Sequence, residues 1–487
     1  MTLGAVLVVA LSGALTADAQ SPQPFEVGVV QTTIDQSQLM AQLPDVEFGT
    51  SAPPKGTPVI TVNEKAHFQR ITGIGAAMTD SSAWLIQKQM LATARAALMT
   101  DLFARYPAGI NISFLRVPMG ASDFTQTGKS YSYDDLPPGQ SDPSLKHFSI
   151  AHDYRWTIPA LREALAINPQ LALQANPWSP PGWMKANDAL NNHADSGLLY
   201  GRAYGPLANY FVKFLKAYAA AGVPISMITP QNEPGNPTRY PGLNLSEHAE
   251  ANLIQYFIAP ALKAAGLHTQ IYGHDAGWSA PSVAFADSLA ASSAAPLLSG
   301  IAWHCYHGSP IAMSRLHQLH ANLTETMDEC AQGLTSSISE TIIASINNWA
   351  SAVVLFNLAL NTHRGPVEAH NGCPGCTAEA TIDQQTGTYS LGLNYYQLGQ
   401  ATAFIQPGAQ VIGANHFVNY NIAGNDPTIS TPGLDDVAVQ NPDGSIVLLA
   451  YNNSTKPVNF AVSWHGRSFI YTIAARATTT FEWNRPA

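Results

Sequence analysis

Eight short apolar runs alternating with helix-like segments predict an α/β chain folded as a (β/α)8 TIM barrel. Short alternating strands at both ends of the chain predict an appended β-sandwich formed by the two termini. A third observation concerns the apolar runs themselves: nearly all finish on polar side chains, which a barrel would gather on one rim. The 487 residues divide accordingly into a leader at 1–20, strands at 21–65 that join the sandwich, a barrel at 66–402 and the sandwich proper at 403–487.

The leader, "MTLGAVLVVALSGALTADAQS", is apolar from Leu3 to Leu15 and leaves through Ala17-Asp18-Ala19, the pattern of a cleaved secretory signal without its basic start. The run is shorter than the roughly 20 residues of a spanning helix, so export without stable membrane insertion is expected. Next come "FEVGVVQTT" and "PVITVN", too short to fold alone and expected to pair into the C-terminal sheet.

The barrel runs are 71–78, 112–118, 171–177, 225–231, 270–275, 300–306, 323–329 and 352–358. Between the third and fourth, residues 204–222 place Phe211, Phe214, Leu215 and Tyr218 at helical spacing, with Gly222 as the stop. No glycine-rich dinucleotide fingerprint follows the early strands, which removes the main function of an open doubly wound sheet. The final strands lie in "GSIVLLAYNN", "KPVNFAVSW" and "SFIYTIAARATTTFEW".

At or beyond the run ends stand Asp80, Arg116, Asn176, Trp178, Asn232, Glu233, His274, Asp275, His304, Tyr306, Glu329 and Asn357. Two carboxyl groups facing each other suit glycoside hydrolysis: one protonates the leaving oxygen and the other attacks the sugar. Glu233 and Glu329 close the fourth and seventh strands and can meet across a barrel mouth. Glu233 is assigned the acid/base role, with repulsion from its partner expected to raise its pKa. Glu329 is assigned the nucleophile. Asn232 offers an amide donor to a sugar hydroxyl; Asp80 and Asp123 offer acceptors, and Asp275 is the weaker candidate. A carboxylate at a strand end also serves as a plain ion-pair partner. Strict alternation places Glu325 on the same side as Glu329, deeper in the barrel, and turns Asp328 towards a helix. Trp178, Trp183 and Tyr306 are expected to stack on sugar rings, whereas Trp303 is read as packing.

Together these segments resemble glycoside hydrolase family 30, clan A, and within it the glucosylceramidase and endo-β-1,6-glucanase group. The resemblance rests on "FQRITGIGAAMTDSSAWLI", "FLRVPMGASDF", "NPWSPPGWMKAN", "TPQNEP", "HCYHG", "MDECAQG" and "FNLALNTHRGPV". It implies a barrel joined to a β-sandwich and retaining hydrolysis of a β-linked glycoside or oligosaccharide with no metal or cofactor. It carries acid/base onto Glu233, nucleophile onto Glu329, and sugar contacts onto Asp80, Trp178, Asn232, His304 and Tyr306. Two departures stand out. Cys305 replaces the usual Trp between His304 and Tyr306, and Leu355-Phe356 stands where the group often has Asp-Trp. Cys305 and Cys330 flank the site as a disulfide or as two thiols.

A net charge of −10 with only 11% charged residues excludes a phosphate-tracking nucleic-acid binder. Cys373 and Cys376 lack the second pair a zinc tetrad needs, which favours a tight-loop disulfide or free thiols. A metal-dependent barrel hydrolase lacks a His-X-His pattern at any strand end, and a barrel that only binds carbohydrate has no need of two opposed carboxylates. Within the family, β-1,6-galactan, xylan and β-fucosides or β-xylosides remain alternative substrates.

Overall fold

The computed structural model describes residues 25–191, 197–236, 238–331, 337–369, 372–373, 375–414 and 433–484. The leader and its exit site lie outside them. A closed, all-parallel barrel is built from β1 (Gly73–Ala77), β2 (Phe114–Pro118), β3 (Ala172–Asn176), β4 (Met227–Ile228), β5 (Gln270–Ala276), β6 (Gly300–His304), β7 (Thr324–Ala331) and β8 (Ala350–Phe356), with β8 closing on β1. All eight fall on the predicted runs. The fourth is shorter than its run of seven, because the chain leaves the ladder at Thr229 to build the rim.

These strands are apolar on both faces because each is covered twice, by helices outside and by the lumen inside. Phe114, Met227, Tyr272, Ala302, Ala352 and Val354 form a buried cluster inside the barrel, distinct from the larger core between strands and helices. One step up, the same alternation raises Arg116 and His304 to the rim. Gly75 belongs to the tight seam between β1 and β2, where a Cβ would lie 1.9 Å from the Phe114 carbonyl oxygen. The helix predicted after β3 spans Tyr204–Ala220 and buries Phe211, Phe214, Leu215 and Tyr218. Gly222 follows it at φ 76°, the left-handed stop that glycine adopts without steric cost.

Both termini build the second unit. Strand Phe25–Thr32 lies between Ala41–Phe48 and the final strand Thr478–Trp483 in a seven-stranded sheet. Asn63–Arg70 enters that sheet as well, through Gln410–Gly413, so the expected boundary at 65/66 falls inside a sandwich strand. A three-stranded sheet of Val59–Thr61, Val458–Trp464 and Arg467–Ile473 completes the sandwich around Phe48, Phe460, Trp464, Phe481 and Trp483. It is tied to the barrel's helices by Thr480 Oγ1 donating to the Gln400 carbonyl at 2.7 Å, and by a 2.6 Å hydroxyl contact between Ser339 and Thr478.

Candidate active site

The strand ends converge on Arg116. It is the middle residue of β2, fully buried, and a buried guanidinium must find acceptors for its donors. One Nη donates to Glu329 Oε2; the other donates to Asn232 Oδ1 at 2.6 Å and Asp275 Oδ1 at 2.8 Å. Its Nε lies 3.6 Å from Asp328, and Trp178 packs over its plane at 4.8 Å. Burial opposes the charge, but Asp275, Glu329 and Asp328 outweigh it and raise the pKa. This hub fixes both the amide and the carboxylate predicted for the site. Because Asn232 Oδ1 is taken, its NH2 is the group turned outwards as a donor.

Oxygens of Glu233 and Glu329 lie within 4.8 Å of each other and of a His304 nitrogen. His304 Nδ1 stands between them, 3.2 Å from Glu233 Oε1 and 3.6 Å from Glu329 Oε1, while Nε2 donates to Asp275 at 2.8 Å. Burial disfavours a charged imidazole here, but the carboxylates of Glu329, Asp275 and Glu233 prevail and hold its pKa well above the ordinary value. With both ring nitrogens donating, His304 presents a cation to the carboxylates around it. Tyr306 donates to Glu329 Oε1 at 3.1 Å and accepts from the Ala331 backbone at 2.9 Å. Asn236 donates to Glu233 Oε2 at 2.6 Å.

Glu233 differs from expectation in one respect. Burial raises its pKa, but hydrogen bonds and charge from His304, with Asn236 in support, bring it below the usual carboxylate value. Its neighbours' hydrogen bonds, and not repulsion from Glu329, set its pKa. Glu233 also holds a left-handed backbone, φ 45°, as do His274 at 75° and Asp275 at 55°. The Glu233 N–H donates to the Asp275 carbonyl at 2.8 Å, so the two strained turns support each other.

Alternation fails in β7. Opposite β6, Trp303 pairs with Met327 and His304 with Glu329; opposite β8, Met327 pairs with Val353 and Cys330 with Leu355. One extra residue is thus inserted, a bulge that turns Asp328 and Glu329 both towards the lumen. Asp328 accepts from Gln174 at 2.6 Å beside Arg116, instead of facing a helix. Burial and the charge of Asp275 lift its pKa to about 8. Glu325 lies on the outer side, accepting from Trp303 Nε1 at 2.5 Å among the residues that pack against the helices. A similar bulge in β5 sends His274 outwards to Ser282 and brings Asp275 in. Asp275, read from sequence as the weaker candidate, is an ionised anchor: burial would raise its pKa, but Arg116 and His304 pull it far down.

Asp80 is not brought to the pair. At the start of the short helix Asp80–Trp84 it accepts from Trp156 Nε1 at 2.5 Å, His152 at 2.9 Å, Tyr131 at 3.4 Å and the Gln126 N–H at 2.7 Å. Its oxygens hold the long loop after β2. Asp123 on that loop is the acid that faces the site: burial, then the charges of Glu329 and Glu233, push its pKa well up, and its Oδ1 has no partner. Trp178 reaches the site but is only 2% exposed, packed between Arg116 and Phe356, so it forms a wall under the rim. Trp183 donates to Asp134 and Trp303 is wholly buried. The sequence reading places Arg116 on the rim without a role, turns Asp328 away from the site and does not single out Asn236. The signal for Arg116 was present, since a charge inside the apolar run "FLRVP" has to be paired; the bulge that recruits Asp328 left none.

Cys305 is joined to Cys330 and Cys373 to Cys376, resolving the choice between thiols and disulfides. A cavity of about 400 Å³ opens beside Glu233, lined by Asn236, Ser279, Ser282, Phe285, Tyr306 and His307 among others.

The family model for the glycosyl hydrolase family 30 TIM-barrel domain matches residues 71–374, and that for the family 30 beta sandwich domain matches 408–481. The chain is 32% identical over 425 residues to the endo-1,6-β-D-glucanase neg1 of Aspergillus fumigatus, covering 83% of each. It is 27% identical over 466 residues to the lysosomal acid glucosylceramidase of Mus musculus, covering 88% of this chain and 84% of that one. The solved structure of the endo-β1,6-glucanase BT3312 aligns with a TM-score of 0.82 at 26% identity, over 95% of this chain and all of the other. Barrel, sandwich and paired carboxylates thus belong together: the chain is a glycosidase of glycosyl hydrolase family 30.

Proposed function

We propose that this β-glycoside hydrolase cleaves β-1,6-linked glucan with retention of configuration, Glu329 acting as nucleophile and Glu233 as acid/base. The observation that carries the reading is the approach of the two carboxylates to within 4.8 Å, the regime of about 5 Å in which the second carboxylate attacks the sugar directly. Arg116 and Tyr306 orient Glu329 from two sides, so that an oxygen is aimed at the anomeric carbon. Glu233, the more exposed of the pair, hands a proton to the leaving oxygen and then takes one from the attacking water. The proton on His304 Nδ1 lies along its hydrogen bond to Glu233 and stabilises the carboxylate that Glu233 becomes between the two steps. Asp123 and the Asn232 amide are the groups proposed to hold the sugar's hydroxyls.

Substrate class is supported by the similarity to the endo-1,6-β-glucanases and by the cavity next to Glu233. Apart from Glu233, its described lining carries no Lys, Arg, Asp or Glu, which suits an uncharged hydroxylated leaving group better than a uronic acid. Export is supported by the pairing of all four cysteines, a state maintained in oxidising compartments. Also in keeping with it, no helix of the described residues is long and apolar enough to cross a membrane.

The test is Glu329→Gly. It should be inactive on aryl β-glucosides and regain turnover with azide, releasing an α-glucosyl azide, while wild type releases gentio-oligosaccharides from β-1,6-glucan. Undiminished hydrolysis by the variant would remove the assignment, and cleavage of glucosylceramide without attack on β-1,6-glucan would move the substrate to the other branch of the family.

A further inference from the structure

The ladder between β6 and β7 ends at the pair His304–Glu329, with the Cys305 N–H donating to the Glu329 carbonyl at 3.0 Å. The very next residues, Cys305 and Cys330, are joined by a disulfide with their Cα atoms 5.1 Å apart, both essentially inaccessible. Glu329 itself sits on the bulge, where a strand loses part of its ladder support. Regular pairing with β8 resumes at Cys330 opposite Leu355. The covalent tie therefore falls on the first regularly paired residue after the bulge. One strand over, it falls on the residue that follows the histidine bridging the two carboxylates.

We propose that the Cys305–Cys330 disulfide is a positioning device for Glu329. A β7 strand without the bulge would keep strict alternation, pointing Asp328 into the lumen and Glu329 towards the helices. The disulfide excludes that register: sliding β7 by one residue would carry Cys330 away from Cys305. It thereby holds the Glu329 carboxylate at the reach of His304, which ends β6, and of Tyr306, just beyond it. The two cysteines touch neither sugar nor reacting atoms. Their effect passes through the backbone of Glu329.

This inference rests on the reading of Glu329 as nucleophile, and the experiment separates the two. Wild type, C305A/C330A and the volume-filling C305V/C330V are treated with 2,4-dinitrophenyl 2-deoxy-2-fluoro-β-glucoside, and the labelled peptide is located by mass spectrometry. Wild type should carry the label on Glu329. Whichever double variant folds should label the same residue at a saturating rate about ten- to a hundredfold lower, with its KI within about twofold of wild type, the split expected of a misplaced nucleophile in an intact site. Labelling at the wild-type rate, or equal losses of rate and affinity, would overturn the positioning role. Wild-type label on another residue, or none, would instead overturn the nucleophile.

Discussion

Replacing His304 by glutamine removes the cation that stands between Glu233 and Glu329. At an effective dielectric of about 20, a positive charge 3.2 Å from Glu233 is worth about 5 kcal/mol, and it opposes the repulsion from the Glu329 carboxylate. The attraction wins, which is why the Glu233 pKa lies below the ordinary value despite burial. Without His304, burial and neighbouring carboxylates push upwards against the Asn236 hydrogen bond alone. Water entering the vacated space screens part of this, leaving a rise of about one to two pKa units, each worth about 1.4 kcal/mol. Glu233 must be protonated to act on the leaving group, so a raised pKa keeps the competent form populated to higher pH. The alkaline limb of kcat/KM, measured on gentio-oligosaccharides from pH 3 to 9, should move upwards in H304Q relative to wild type. The maximum should fall by about a hundredfold, because the proton donor is no longer aimed. An alkaline limb that stays in place or moves down would refute the argument that His304 governs the protonation of Glu233.

Arg116→Lys replaces a fork by a single ammonium and cannot serve Glu329, Asn232 and Asp275 together. Activity should fall at least about a thousandfold and stability by about 3–5 kcal/mol, read by turnover and urea denaturation. Asp80→Asn should lower stability by about 1–3 kcal/mol through its Trp156 and His152 contacts while leaving KM unchanged; a raised KM with normal stability would restore Asp80 as a sugar contact. Asp328 has a pKa of about 8 in the folded chain, well above the usual carboxylate range near 4, so between about pH 4 and 8 the native state binds the extra proton and loses stability as pH rises. Asp328→Asn cannot lose a proton, and its Tm should fall less than that of wild type over the same interval.

The barrel was legible because each strand is an apolar run closed by a polar rim residue, and a doubly covered parallel strand needs nothing subtler. Glu233 and Glu329 were legible as a facing pair for a related reason: both stand at the ends of runs that a barrel brings to one rim, and their oxygens lie within 4.8 Å. What escaped is what depends on register. Whether Asp328 or Glu325 shares a side with Glu329 is decided by one inserted residue in β7, set by pairing with β6 and β8 and not by the local pattern. Asp80 and Asp123 look equivalent as text. Only the fold shows that the first is enclosed by Trp156, His152, Tyr131 and the Gln126 backbone, while the second feels the charges of Glu329 and Glu233. Arg116 could have been weighted more heavily from its place inside an apolar run.

The location of strand Phe25–Thr32 beside Thr478–Trp483 has a consequence for biosynthesis. Its neighbour on that side is made only after all the barrel strands, so one edge of Phe25–Thr32 stays open until residue 478 and beyond have been translated. A nascent chain halted before residue 478 would expose that edge to other chains, whereas the barrel strands, all complete by residue 356, could already have closed.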